Sequence, residues 1–514
     1  MAQQLNSINL VAPAFKGINT EDSPLAQDPS FAEIADNAVI DRRGRIASRK
    51  GNKVITTNKT ELGSNFLSAI HEYRDDYGNE AIFSVGNNKI LKGTTTLTDV
   101  TPSSYSINSN DWKMVTFNNH GYFFQRGHEP LVYEGNRQDA NGNNIAVVER
   151  MSAHVHSTGT PPQGHEVLAA FGRLWVADFE NNKSTIYWSD FLNGHAWSGG
   201  DSGSIDISGV WPDGYDEIVA LSAHNNHLVI FGKHSIIAYN DAWNPASMFV
   251  ADTVAGVGCV HRNTLQHTGT DIIFLSNTGL RSFGRTIQEK SMPISNLSST
   301  ISKDIIELVS SEPTGFSTVY SPENNFYLLT FINEDITYCF DVRGTLENGA
   351  YRVTRWPTTG FTSFARLDNG KLYIGSKEGI GEYDGYLDNN QTYQFSYYSP
   401  SLTFGDPART KFIKKVRPTI IGGDKTIVSL QWAYDFDESY SSQQFTAGVN
   451  ATPALFGVAQ FNIDKFTGGV QTSRTAVNTT GGGGTVVIGL QATINGEQLS
   501  LQEINVLALM GKVI

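Results

Sequence analysis

Residues 167–190 read VLAAFGRLWVADFENNKSTIYWSD. Apolar runs at Val167–Phe171 and Leu174–Ala177 flank a turn at Gly172, and a third run, Ile186–Trp188, follows an Asn-containing turn. Short apolar runs separated by turn residues predict a meander of three antiparallel strands. Such a meander cannot bury both of its faces and needs neighbours of the same kind. One is close by: Leu228 opens LVIF, with Ile218–Leu221 before it and Ile236–Tyr239 after it, 54 residues beyond Leu174.

The same succession occurs seven times. Its central strands open at Ala81, Tyr122, Leu174, Leu228, Ile272, Phe326 and Leu372, at intervals of 41, 52, 54, 44, 54 and 46 residues. A strand-built period near fifty predicts an all-β fold containing a β-propeller, one blade per repeat. The count is six or seven blades, depending on whether one meander is shared with another module. The repeats lack the Gly-His and Trp-Asp pairs of the WD type, so the period speaks for architecture and not for activity.

Composition agrees with that class. The chain has 514 residues, room for two or three domains, with 17% charged and 11% aromatic residues. No apolar run reaches the length that spans a membrane as a helix, and MAQQLNSINLVAPAF shows neither the basic leader nor the apolar core of a secretory signal. Cys259 and Cys339 each lie among apolar strand residues and are read as buried thiols. The net charge of −13 argues against binding nucleic acid through phosphate neutralisation. It does not oppose a passage through which DNA slides without sticking.

Along the chain, residues 1–60 read as an N-terminal arm and docking hairpin, 61–390 as the propeller and 391–514 as a C-terminal β-sandwich-like domain. Residues 1–30 look like an extended arm or a strand added to something else. Ala32–Asn37 reads as a helical turn, followed by strands at Arg45–Lys50 and Val54–Thr56. Arg42, Arg43, Arg45, Arg49, Lys50 and Lys53 form the densest basic cluster, read as a solvated hairpin face, a phosphate contact or a docking surface. His154 and His156 share one face of a strand, with His165 nearby, but no carboxylate or Cys stands at ligand spacing, so neither metal nor cofactor is expected. Leu297, Ile301, Ile305 and Leu308 predict one inserted amphipathic helix over Ile294–Glu312, stopped by Pro313. Asp384–Asn390 reads as a plain turn, since its glycine comes too early for a calcium loop. Val428, Leu430, Trp432, Tyr434 and Phe436 alternate onto one face of a strand in the last domain.

Three segments carry a family likeness. Asn37, Ala38, Gly44, Arg49 and Gly51 resemble the opening of the tail nozzle proteins of short-tailed double-stranded DNA bacteriophages, also known as tail tubular protein B, with the related DNA-stabilisation and tail-hub proteins. Gly172, Arg173, Leu174, Ser189, Trp197, Asp206 and Ile218 are similar to a run preceding an acidic loop in that family, and Phe404, Gly405, Pro407, Arg409 and Lys411 to its exit from the propeller. A helix inserted between blades is a further likeness. The resemblance implies a virion structural protein of the viral tail, assembled in the host cytoplasm. It implies a hexameric ring beneath the adaptor and portal proteins, with tail fibres or a needle as further neighbours. Genomic DNA would pass through its lumen, retained until ejection and not specifically bound. No membrane insertion is implied.

Two other classes compete. Ser189, Asp190, Gly194 and Trp197 approximate the Asp-box turn of sialidases and other propeller hydrolases, one residue out of register and present once. A glycan hydrolase or lyase needs convergent carboxylates, whereas Asp75, Asp76, Asp216, Asp241 and Asp335 fall in turns that solvation explains. No nucleophile elbow, phosphate loop or zinc signature is present, so no enzyme is expected. A generic propeller interaction scaffold is the remaining class.

Overall fold

Each of the seven apolar runs forms the second strand of an antiparallel meander in the computed structural model, which describes residues 5–12, 14–138, 146–289, 296–311, 314–448 and 472–513. Blade three is representative: Glu166–Ala170, Arg173–Ala177, Thr185–Trp188 and Gly203–Asp206 pair in chain order. Its second strand is buried at every position, which is why these strands read as continuous apolar runs rather than alternating ones. The first hairpins of blades two to four turn on two left-handed residues, Asn118-Asn119, Phe171-Gly172 and Asn225-Asn226, as does the second hairpin of blade one at Asn87-Asn88, all with φ between 45° and 68°. That geometry matches the right-handed twist of paired strands and suits Asn and Gly.

The blades close radially. The first strand of blade one, Ala69–Arg74, lies beside Lys113–Phe117 of blade two, which lies beside Glu166–Ala170, and that beside Ile218–His224 of blade four. The turn Arg262–Thr264 and strand Gln266–His267 lead through blade five to Phe316–Ser321 and then Ser363–Arg366, which returns to Ala69–Arg74. Side chains interleave between neighbours: Trp175 and Ile186 of blade three pack with Leu228, Ile230 and Ile237 of blade four. Each such fully buried aliphatic residue contributes about 1.5–3 kcal/mol.

Six blades are separate sheets. Among the described residues blade five has three strands and ends in a helix, Phe283–Glu289, that the sequence reading did not anticipate. Blade seven, Ser363–Arg366, Leu372–Ser376 and Gly379–Tyr383, takes its fourth strand from the other end of the chain, where Asn52–Val54 pairs with Gly381–Tyr383. The remaining blade, blade six, is shared. Strands Phe316–Ser321, Phe326–Phe331, Ile336–Thr345 and Tyr351–Pro357 form a blade and also one side of a nine-stranded sheet, continued by Ile34–Asp36, Tyr393–Tyr398, Val486–Ile494, Thr426–Tyr434 and Ser441–Ala447.

The far part of that sheet packs on a second, seven-stranded sheet built on Arg409–Gly422 and Leu499–Val513. Val428, Leu430, Ile488 and Leu490 of one sheet meet Val416, Ile420, Ile504 and Val506 of the other in a closed apolar core, a β-sandwich. Leu5–Leu10 adds to this sandwich along Leu499–Val513, with Leu5 opposite Leu509.

Several local readings change. Phe31–Ala32 and Ile34–Asp36 are strands and not a helical turn, because pairing to Gly17–Ile18 and to Tyr393–Tyr398, respectively, claims their backbone groups. Phe436 leaves the alternation: the strand ends at Tyr434, and Phe436 sits in the following turn at φ 64°, exposed. Within the predicted helix, Ser299–Ile301 is a 3-10 turn and the α-helix is Ser302–Ser311, held to the core by Leu297, Ile301 and Ile305. Ile294, Glu312 and Pro313 lie outside the described residues. Both cysteines are free and buried, and burial pushes the Cys259 thiol up to about 12. Among the described residues no helix is long and apolar enough to cross a membrane.

Candidate functional site

The basic segment divides into two populations. Arg42 and Arg43 are exposed at the tip of the hairpin formed by Ala38–Ile40 and Ile46–Ser48, and Lys53 is exposed on the strand that closes blade seven. Arg45 turns back onto Asp41 at 2.6 Å, and Lys50 lies 3.8 Å from Asp384. Arg49 does not belong to any docking face: its side chain is 1% exposed. Its NH1 and NH2 donate to the two oxygens of Asp388 at 2.9 and 2.5 Å, its Nε donates to Asn37 Oδ1 at 2.9 Å, and the Tyr393 ring lies 4.3 Å from its guanidinium carbon. A guanidinium taken out of water needs this planar, fully paired setting.

This clasp joins the two domains. Asn37 also donates to the carbonyl of Gln394, while Asn52 N–H donates to Asp388 Oδ1 at 3.0 Å. Gly51 runs so close to Leu387 that a Cβ there would stand 2.0 Å from its carbonyl oxygen, which only glycine avoids. Asn37, Arg49 and Gly51 of the first family-like set therefore meet at the joint between propeller and sandwich, while Gly44 lies at the hairpin tip. The second set holds blade three: Leu174 N–H donates to Ser189 Oγ at 3.0 Å, and Arg173 NH1 donates to the Ser189 carbonyl at 3.0 Å. Asp190, the residue of the approximate Asp-box, accepts from the backbone of Phe191 and Asp201 at 2.8 and 2.9 Å, the work of a turn carboxylate. In the third set Lys411, fully buried, donates to the carbonyls of Asp406 and Gly484.

Where blades two to five converge, a cavity of about 950 Å³ opens. Its lining includes the carboxylates Asp111, Asp178, Glu180 and Glu217 and the cations Arg126, Lys183, Lys233 and Arg262, equal numbers of each sign. His165 stands between two of them, its Nε2 2.9 Å from Asp111 and its Nδ1 3.3 Å from Asp178. Arg262 pairs with Asp111 at 2.8 Å, Lys183 with Asp178 at 2.7 Å, and Arg126 also bonds Asp178. Burial alone would raise both aspartates. For Asp111 the Arg262 charge and His165 outweigh it, and for Asp178 the bonds from His165 and Lys183 do, so both carboxyls sit below the ordinary carboxylate range. These two groups are thus ionised, paired anions at neutral pH and supply no general acid. Beneath the cavity Glu166, fully buried, accepts from Lys113 at 2.5 Å and from Leu221 N–H at 3.0 Å, tying the innermost strands of blades two, three and four.

The histidines are distributed differently from their sequence spacing. His165 joins the cavity network, while His154 and His156 remain neighbours with rings 5.7 Å apart. His154 is buried against His120 and His195, which come from two other segments and carry no shared sequence signal. Burial first, then the neighbouring His120, drive the His195 imidazole down to about 2.

No protein-family profile and no curated protein sequence matches the chain. Among solved structures it is similar to the WD40 domain of Neurospora crassa Pan2, at 8% identity and a TM-score of 0.38 over 65% of this chain and 94% of that one. The C-terminal WD40 domain of Sif2 matches at 10% identity and a TM-score of 0.33 over 65% and 98%. An auxiliary nutrient binding protein from Bacteroides thetaiotaomicron matches at 10% identity and 0.30 over 74% and 76%. The chain is a β-propeller protein on the strength of its own sheet topology, and these likenesses extend no further than fold.

Proposed function

We propose that this chain is a structural subunit of a tail nozzle or hub in a short-tailed double-stranded DNA bacteriophage. The observation that carries the reading is the joint: a propeller blade and a sandwich share one nine-stranded sheet, and the family-like residues Asn37, Arg49 and Gly51 gather at that junction. A subunit welded in this way transmits load between its two domains without a flexible linker, as a ring under the pressure of packaged DNA requires. The cavity among blades two to five fits this reading, since Asp111, Asp178 and Glu217 are each paired with a cation and its balanced charges make no one-sign funnel.

In this reading six copies close a cyclic ring through head-to-tail contacts, each burying unlike faces of neighbouring subunits. Arg42, Arg43 and Lys53, the exposed part of the basic segment, are the residues assigned to the neighbouring subunit or the adaptor. A net charge of −13 keeps the passage from holding DNA. The test is negative-stain imaging of the purified chain mixed with its adaptor and portal. Sixfold rings with a central channel are expected. A chain that stays monomeric with both partners present overturns the reading, and a glycan-hydrolysis screen is then the next measurement.

A further inference from the structure

We propose that His120, His154 and His195, completed by Glu134, form a site for one divalent transition-metal ion of the zinc class, fastening blade two to blade three. The three imidazoles arrive from separate segments. His120 opens the second strand of blade two, His154 lies in the link that follows Val148–Arg150, and His195 lies in the loop after the third strand of blade three. Glu134, on the third strand of blade two, is the cross-strand partner of His120. One ligand nitrogen from each histidine lies within 4.8 Å of the other two. Ligands at zinc distances of about 2.0–2.1 Å stand about 3.3 Å apart, so the three imidazoles close by up to about 1.5 Å to bind, and Glu134 Oε2, 3.5 and 3.9 Å from His154 and His120, needs less movement toward those two.

A second observation points to a ligand. His154 is 3% exposed, and its Nε2 makes no hydrogen bond; Glu134 Oε2 stands 3.5 Å away, a long contact that becomes an ion pair only when the imidazole is protonated. A buried, unmade polar contact beside a carboxylate and two further imidazoles is what a cation would satisfy. The surrounding bonds also orient the rings. His120 Nδ1 lies 2.7 Å from the carbonyl of Asn118, which places its proton there and leaves Nε2, 3.9 Å from Glu134, as the lone pair. His195 Nδ1 is held 3.2 Å from the buried Tyr122 hydroxyl, leaving its other nitrogen for a ligand.

Two adjustments accompany binding. The rings of His154 and His195 are stacked, 4.1 Å apart at 24°, so one must turn to bring both lone pairs onto a single ion. His120 already stands at 78° and 85° to them. His154 Nδ1 accepts a long bond of 3.3 Å from His156 N–H, so in the free chain its proton is on Nε2; binding moves that proton to Nδ1 and gives up this bond. Three imidazoles with a carboxylate suit zinc, copper or nickel over magnesium or calcium.

The test is titration of the chelator-treated full chain with Zn²⁺ by calorimetry and with Co²⁺ by visible absorption. One equivalent of Zn²⁺, a Co²⁺ band of the four-coordinate type that Zn²⁺ abolishes, and a melting temperature raised by Zn²⁺ are expected. His195→Gln should weaken binding by more than about 100-fold, because even partners outside the ligand set are worth about 10–100-fold. Glu134→Gln, on a half-exposed strand end, should weaken it about tenfold with the fold intact. Absence of the Co²⁺ band in the unsubstituted chain overturns the proposal irrespective of how the variants fold. So does binding that neither substitution changes.

Discussion

Blades three and six start from the same pattern and end differently. In blade three the outermost strand, Gly203–Asp206, is four residues long, alternates between half-buried and exposed, and ends the sheet. In blade six the outermost strand, Tyr351–Pro357, accepts a parallel neighbour, Ile34–Asp36, and the sheet runs on into the sandwich. An open strand edge offers unpaired backbone groups to any passing strand and has to be blunted or occupied. Blade three blunts its edge; blade six uses the edge as a weld. The difference teaches that a propeller blade can be a closed unit or a structural coupling, and that the coupling is specified by residues outside the repeat.

The strongest test of that contrast is at the weld. Arg49→Ala removes a buried guanidinium and leaves Asp388 without its bidentate partner, which is expected to cost about 3–5 kcal/mol. Scanning calorimetry should then resolve two transitions where the parent shows one, as propeller and sandwich uncouple. Arg49→Lys should not restore the parent behaviour, because an ammonium cannot bond Asn37 and both Asp388 oxygens at once. A single transition shifted by less than about 1 kcal/mol would show that the shared sheet alone makes the coupling.

Within the closed blade the effects are smaller and local. Glu166→Ala leaves Lys113 and Leu221 N–H without their acceptor at the centre of blades two to four. Lys113 keeps some access to water, 30% of its side chain, so the expected cost is about 2–4 kcal/mol, read by urea denaturation, with no splitting of the transition. Ser189→Ala deprives the buried Leu174 N–H of its acceptor and should cost about 1–2 kcal/mol in the same measurement.

The same contrast explains what was legible in the amino-acid order. The seven second strands were visible because they are buried on both sides, so Leu174–Ala177 or Leu228–Phe231 reads as an unbroken apolar run. Outer strands such as Thr98–Asp99, two exposed residues, leave no such trace. Pairings across hundreds of residues, Asn52–Val54 with blade seven or Ile34–Asp36 with blade six, have no local signature because their partners supply the hydrogen bonds. Arg49 was legible as a charge and not as a buried one, since its partner Asp388 sits in a segment that reads as a plain turn. His120 and His195 were invisible for the same reason: what joins them to His154 is the angle between two blades.

Acidity should weaken the cavity network. Asp111 and Asp178 titrate in the folded chain below their ordinary values, so as the pH falls the unfolded chain takes up protons first. Their contribution to stability is complete above about pH 4 and is lost as the pH drops through the folded values. Thermal melts between pH 6 and pH 3 should therefore show a falling midpoint whose slope is reduced in Asp178→Asn. An unchanged slope in that variant would assign the acid sensitivity to other carboxylates.

The smallest effect on stability should come from the exposed remainder of the basic segment, and it is there that folding and assembly separate. Arg42, Arg43 and Lys53 point into solvent, so replacing all three by Glu should change the folding free energy by no more than about 0.5 kcal/mol per site. Arg49, four residues from Lys53 in sequence, gives the opposite result if the weld is its role. Charge reversal at a contact with a neighbouring subunit or adaptor removes the attraction and adds repulsion, so ring formation with adaptor and portal should fail although the monomer melts like the parent. Rings that form normally from the triple variant would move the interface elsewhere on the subunit and leave the basic hairpin as an ordinary solvated face. A triple variant that also melts early would mean instead that the hairpin, built of Ala38–Ile40 and Ile46–Ser48 within the sandwich sheet, belongs to the weld and not to the surface.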